Sequence, residues 1–250
     1  MSLIQKAALL CRPVCELCGK ERSFSTKTKL FNKITVCVEG NIGCGKTTFL
    51  KQFQKFDKLV ETNGEPVQRW RDFGGQNPLA HLYADPARWA LSFQSLVLLT
   101  LLERQTQPQV KPVRMLERSI YSARYCFTEN LKQGGLLSDI EYIILNQWFD
   151  YVTSRNDVTV DLVVYLRTSP ELCYERIKAR NRYEEQKVSM DYLQKLHDLH
   201  EKWLLDTENT SVIRPPVLVV NGDNDIQTIK NRLHSIQAQI FSYLKQPAYS

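Results

Sequence analysis

The sequence predicts an α/β fold in which a parallel β-sheet is covered by helices on both faces, and three observations carry that expectation. Short apolar runs alternate with longer stretches of helical periodicity along most of the chain, the pattern of repeated strand–helix–strand units. The first apolar run, Ile34-Thr35-Val36-Cys37-Val38, leads into Gly40-Asn41-Ile42-Gly43-Cys44-Gly45-Lys46-Thr47, a complete G-x-x-x-x-G-K-[ST] loop. A length of 250 residues with 43% hydrophobic content suffices for one large domain with its own core.

In chain order, the first strand is Ile34–Val38 and the loop opens a helix over Thr48–Lys55. The loop glycines let the backbone wrap a phosphate with its N–H groups, Lys46 reaches the β/γ oxygens and the Thr47 hydroxyl ligates Mg²⁺. The dipole at the helix N-terminus favours the same anion, so the chain is expected to handle a nucleoside triphosphate. Lys58–Glu61 is the second strand, followed by Gly64-Glu65-Pro66-Val67, and a helix is expected over Ala87–Arg104. The third strand, Val113–Leu116, runs into Glu117-Arg118-Ser119. That places an acid and an arginine at a strand's carboxyl end, where open α/β sheets bind ligands.

Helices are expected at Ser119–Leu131 and Ile140–Thr153, then a strand at Asp161–Arg167. Ser169-Pro170 reads as an N-cap with proline in the first turn of a helix over Pro170–Ala179. Arg176, Lys178, Arg180 and Arg182, followed by Glu184 and Glu185, then break the helical pattern with dense charge before a helix over Met190–Leu205. Such charge is usually a solvated face, but arginines on a lid can also close over a triphosphate as its γ-phosphoryl group transfers. The strand Val217–Val220 and the helix Ile226–Leu244 complete the order, with no internal repeat.

The formal charge of +6 is unevenly placed. Residues 1–33 hold seven lysines and arginines against Glu16 and Glu21, so five of the six net charges lie in this arm and the remainder, 34–250, is nearly neutral. A nucleic-acid-binding face is therefore not expected. The arm carries Ala7-Ala8-Leu9-Leu10 and reads either as a mitochondrial presequence or as a disordered cytosolic tail, giving a mitochondrial or cytoplasmic protein. No apolar run approaches the roughly 20 residues that span a bilayer. The seven cysteines are scattered, which suits a reducing compartment, and Cys11, Cys15 and Cys18 lack a fourth ligand for structural zinc.

The phosphate loop alone leaves GTPases, motors and small-molecule kinases open. No N-K-x-D motif reads guanine, and no strand ends in the Asp of a motor-type magnesium site. Several further segments narrow the choice: Glu65-Pro66-Val67 with Trp70, Glu117-Arg118-Ser119 with Ala123-Arg124-Tyr125, Tyr165-Leu166-Arg167-Thr168-Ser169-Pro170-Glu171, and His197-Asp198-Leu199-His200-Glu201-Lys202-Trp203-Leu204. With the loop they resemble, in the same order, the animal deoxyribonucleoside kinases, within them the branch of the insect multisubstrate enzyme and mitochondrial thymidine kinase. The resemblance runs from about Ile34 to about Asp223.

The resemblance implies a phosphate-loop kinase fold with a five-stranded parallel sheet, a short arginine-rich lid, and a homodimer joined through helices. It implies transfer of the γ-phosphoryl group of ATP to the 5′-hydroxyl of a deoxyribonucleoside with Mg²⁺, in nucleotide salvage. By motif position, Glu65 is the general base, Arg118 orients it and steadies the transferring group, and Lys46 and Thr48 join Gly40–Thr47 on the phosphates. Thr47 and Glu117 serve the metal, and Arg180 and Arg182 are the lid arginines. Gln94 holds the base edge, Trp70 and Phe127 wall the base, and Tyr83 with Glu185 holds the 3′-hydroxyl. Val97, Leu101 and Ala123 shape the pocket. The deoxycytidine kinase branch has an arginine and an aspartate at the last two positions, so their absence implies room for a thymine methyl group and thymidine and deoxycytidine as leading substrates. Leu101 stands where near relatives carry the more adaptable methionine, which leaves acceptance of purines open.

Two other readings are weighed against this one. A nucleoside monophosphate kinase such as thymidylate kinase shares the fold, but its acceptor phosphate would meet a repelling carboxylate at Glu65. A non-catalytic nucleotide-binding protein would have no use for a base beside Lys46, Glu117 and Arg118.

Overall fold

The computed structural model describes residues 33–155, 158–206 and 215–245; apart from Lys33, the basic arm and its three cysteines lie outside them. Five strands, β1 (Ile34–Glu39), β2 (Val60–Asn63), β3 (Val113–Glu117), β4 (Leu162–Arg167) and β5 (Val217–Asn221), form one sheet in the order β2-β3-β1-β4-β5. Every pairing is parallel. All five expected strands are present, displaced by at most two residues at either end. The three central ones, β3, β1 and β4, are covered on both faces, which is why each reads as a nearly unbroken apolar run.

The helices are α1 (Lys46–Phe53), α2 (Val67–Arg71), α3 (Pro78–Ala84), α4 (Pro86–Thr106), α5 (Ile120–Ser122), α6 (Glu129–Gln133), α7 (Asp139–Arg155), α8 (Pro170–Arg180), α9 (Met190–Leu204) and α10 (Ile226–Ser242). One face of the sheet packs on Phe49 and Phe53 of α1 and Leu233, Ile236 and Ile240 of α10. The other packs on Phe93 and Val97 of α4, Phe149 of α7, and Leu196, Leu199 and Trp203 of α9. Each such side chain removed from water contributes about 1.5–3 kcal/mol. Among the described residues no helix is long and apolar enough to cross a membrane. Cys37, Cys44, Cys126 and Cys173 are buried free thiols, so no disulfide joins them.

Three expectations need correction. The first helix begins at Lys46, because Gly45 at φ 102° caps it in the left-handed region, and it ends at Phe53 rather than Lys55. The helix expected over Ser119–Leu131 is divided: α5 passes into a π-helical segment, Ala123–Thr128, before α6 resumes regular geometry. A π segment carries one extra residue per turn, and it rotates the following side chains on the helix face. The helices α2 and α3, not foreseen, fill the span between β2 and α4.

The strand order decides where the site falls. Val38 pairs with Glu117 of β3 and Glu39 with Tyr165 of β4, so the chain leaves β1 between the carboxyl ends of β3 and β4. That is the switch point at which open α/β sheets form a ligand crevice.

Candidate active site

A cleft of about 610 Å³ opens at this switch point, with the phosphate loop as its floor. Gly40 and Gly43 hold φ values of 140° and 83°. A Cβ at Gly40 would lie 2.7 Å from the Leu166 carbonyl oxygen, and one at Gly43 2.6 Å from that of Cys173, so the loop threads between β4 and α8 with no room for a side chain. Ile42, Gly43, Cys44, Gly45, Lys46, Thr47 and Thr48 line the cleft, whereas Gly40 and Asn41 do not. Asn41 instead pins the loop from behind: its Nδ2 donates to the Leu193 carbonyl of α9 at 2.8 Å, and its Oδ1 accepts from Ile42 N at 2.8 Å. The Lys46 ammonium is buried and donates to the carbonyls of Gly40 (3.1 Å) and Asn41 (2.8 Å). The cation is thereby held inside the curl of the loop.

The opposite wall is built from the ends of β2 and β3. Thr47 Oγ1 donates to both carboxylate oxygens of Glu117, at 2.8 and 3.0 Å. Glu65 Oε1 accepts from Arg118 Nε at 2.8 Å. Arg118 is buried and adopts φ 62°, a left-handed conformation unusual for a residue with a side chain, and its guanidinium lies over the Phe127 ring at 4.5 Å. The π segment is what delivers Phe127 to that position. Burial opposes the charge on Arg118, but the Glu65 and Glu39 carboxylates outweigh it and raise its pKa. Glu39 is fully buried beneath the loop, where burial pushes its carboxyl up, and its Oε1 accepts from Ser119 Oγ at 2.6 Å.

Trp70, Tyr83 and Phe127 line the cleft as expected. Trp70 is fixed by Nε1 donating to Thr100 Oγ1 at 2.9 Å and by an edge-to-face contact with Phe93. Tyr83 is held neutral, its pKa raised by burial and by Tyr192, Glu185 and Glu65. Gln94, Val97, Leu101 and Ala123 are not on the wall; all four are buried, the last three within the cluster that backs Trp70. Gln94, Val97 and Leu101 follow one another about one helical turn apart on α4 and Ala123 opens the π segment, so all four lie behind the lining residues. The Gln94 Oε1 has no hydrogen-bond partner among the described residues.

The lid follows α8 as a 3₁₀ turn, Tyr183–Lys187. Arg180 and Arg182 both reach the cleft, and both grip Glu185, Arg180 through two nitrogens at 2.7 and 3.0 Å and Arg182 at 3.4 Å. The residues expected to serve phosphate and sugar are thus tied to each other. Arg71 pairs with Glu184 at 3.0 Å and anchors the turn to α2.

Three contributors were not singled out from the sequence. Arg176 donates to the Cys44 carbonyl at 3.3 Å and the Gly222 carbonyl at 3.1 Å, putting a cation on the loop's outer edge. It belongs to the recognised basic stretch, but nothing in that stretch ranks it above its neighbours. Glu39 and Arg104 carry no motif at all. An acid ending a buried strand and an arginine on an otherwise apolar helix face are the faint signals that point to them.

Comparison with known proteins adds a separate line. Residues 36–245 match the family model described as deoxynucleoside kinase. The chain is 47% identical over 195 residues to thymidine kinase 2, mitochondrial, of Homo sapiens, spanning 78% of the chain and 73% of that protein. It is 30% identical over 250 residues to deoxycytidine kinase of Homo sapiens, spanning 89% and 95%. It is 31% identical over 239 residues to deoxycytidine kinase 2 of Gallus gallus, spanning 84% and 89%.

Proposed function

The chain belongs to the deoxynucleoside kinase family, and from that premise we propose that it moves the γ-phosphoryl group of ATP to the 5′-hydroxyl of a pyrimidine deoxyribonucleoside, with Glu65 as the general base. The Glu65–Arg118 pair at 2.8 Å, facing the phosphate loop across the cleft, carries this reading. A carboxylate there accepts the proton as the hydroxyl attacks. Arg118 orients the carboxylate and offers a fixed cation to the phosphoryl group in flight, and Lys46 does the same from the loop.

Thr47 and Glu117 fit a magnesium ion: a hydroxyl and a carboxylate already within 3.0 Å are hard oxygen ligands of the kind Mg²⁺ takes alongside phosphates and water. When bound, the metal would be held by Thr47 and Glu117 and would neutralise phosphate charge. Arg180, Arg182 and Arg176 add cations above and beside the loop.

On the nucleoside side, Trp70 and Phe127 wall the base and Tyr83 with Glu185 meets the 3′-hydroxyl. Gln94 lies behind the lining residues, and its proposed role on the base edge rests on its buried Oε1, which has no partner among the described residues and would be satisfied by a ligand N–H that reaches past the wall. Leu101 and Ala123, backing the pocket without charge, favour a thymine or cytosine ring. Comparing kcat/KM for thymidine, deoxycytidine, deoxyadenosine, deoxyguanosine and thymidine monophosphate tests the reading. Thymidine and deoxycytidine are expected to lead the purines by at least tenfold, and activity on the monophosphate alone would overturn it.

We also infer a homodimer. α7 exposes Ile140, Ile143, Ile144, Trp148 and Tyr151 along one stripe, with Trp148 56% exposed. An apolar patch of this continuity marks an association surface. The expected result is a dimer by sedimentation that becomes a folded monomer in Ile143→Glu/Trp148→Glu; a monomeric parent protein would refute it. The basic composition of residues 1–33, with a relative named as mitochondrial, supports a mitochondrial location.

A further inference from the structure

Near its C-terminal end α4 carries a buried cation whose hydrogen bonds all go to main-chain carbonyls. Arg104 is 7% exposed. Its Nη1 donates to the carbonyls of Gly64 at 2.7 Å and Asn63 at 3.4 Å, its Nη2 donates to that of Arg118 at 2.7 Å, and its Nε has no partner among the described residues. Burying a charge without a carboxylate in contact is unfavourable and is normally avoided.

The carbonyls it holds give the arrangement its meaning. Asn63 ends β2, and Gly64 is the residue immediately before Glu65. Arg118 follows the last residue of β3 and carries the left-handed φ of 62°. One planar guanidinium therefore joins the two turns that present Glu65 and its partner, and its bond to the Arg118 carbonyl fixes the orientation of the peptide that leaves the strained residue. A rigid fork reaches two acceptors on separate strands at once, which the point charge of a lysine does less well.

We propose that Arg104 is a positioning residue for phosphoryl transfer: it locks the turn of Glu65 to the turn of Arg118 and so keeps base and cation in register. The inference rests on the reading of Glu65 and Arg118 given above. It concerns neither the phosphate loop nor the base pocket, so its loss should appear in turnover rather than in ATP affinity.

The test uses the full chain with Arg104→Ala and Arg104→Lys, measuring kcat, KM for ATP and thymidine, and the melting temperature. Arg104→Ala is expected to lose 10- to 100-fold in kcat with KM for ATP within threefold, and millimolar guanidinium chloride should restore at least threefold of the loss. Arg104→Lys is expected to stay folded and lose at least fivefold. A kcat within twofold of the parent in either folded variant overturns the proposal, as does a fall in kcat matched by a rise in KM for ATP without rescue. Should Arg104→Ala fail to fold, Arg104→Lys decides alone. Glu65→Gln measured alongside separates the two readings: retained turnover there removes the base assignment itself, whereas lost turnover there with an unaffected Arg104→Ala removes only this inference.

Discussion

Replacing Glu65 by Gln is expected to lower kcat by about 10²–10⁴-fold while leaving thymidine binding within a few-fold. The substitution keeps the side-chain length and an oxygen that can still accept from Arg118 Nε, now at 2.8 Å from the carboxylate. What it removes is the negative charge and the basicity that an attacking hydroxyl requires. Binding should survive because Trp70 and Phe127, the proposed base walls, are set by their own contacts with Thr100, Phe93 and Arg118. Folding should be only modestly affected, since Arg118 retains the field of the buried Glu39. Glu65→Asp is the matching control: it keeps the base but withdraws it by one methylene, so an intermediate rate is expected. Steady-state kinetics with calorimetric thymidine binding check the result, and a Gln variant turning over at near the parental rate would end the assignment.

The sheet was legible because buried parallel strands must be apolar on both faces, so β1, β3 and β4 appear as nearly unbroken apolar runs even with Arg114 inside β3. The phosphate loop was legible for a different reason: its backbone path demands glycine at Gly40 and Gly43, and steric demand is visible in residue type. α2 and α3 were missed because five and seven residues are too few to display a 3.6-residue period. The punctuation of α3 was present, since Asn77 before Pro78 caps it and Asp85 before Pro86 closes it and caps α4. The π segment was hidden because a one-residue phase shift does not disturb an already mixed pattern. Arg104 left only a faint signal, an arginine on an otherwise apolar helix face. A cation near a helix C-terminus usually faces water and complements the dipole, and only the packing of α4 against the ends of β2 and β3 turns it inward onto three carbonyls.

Mild acid should destabilise the protein through His200, on a scale comparable with the catalytic losses above. His200 is fully buried on α9, with Nδ1 donating to the Leu196 carbonyl at 2.6 Å, Nε2 without a partner among the described residues, and its ring stacked parallel to Tyr165. Burial, with the positive charges of Arg118 and Lys46 and with His197 on the same helix, lowers its pKa from 6.5 to about 3. The unfolded chain therefore binds this proton below pH 6.5 while the folded chain refuses it down to about pH 3, so stability falls as pH falls across that window. The slope is about 1.4 kcal/mol per pH unit, and the full drop is roughly 5 kcal/mol, half of a typical domain's stability. Carboxylates also titrate in this range, so the parent alone cannot isolate the effect. His200→Asn can: its amide nitrogen is placed to keep the bond to Leu196, yet it has no proton to take up. Denaturant unfolding at pH 7.5 and 5.0 should show the parent losing about 2 kcal/mol more than this variant between the two conditions. Equal losses would mean that the ring is already protonated or solvated in the folded protein. Burial is the larger cause of this refusal and the positive charges of Arg118 and Lys46 add to it, so the acid sensitivity follows from packing a histidine in the core within the field of two buried cations.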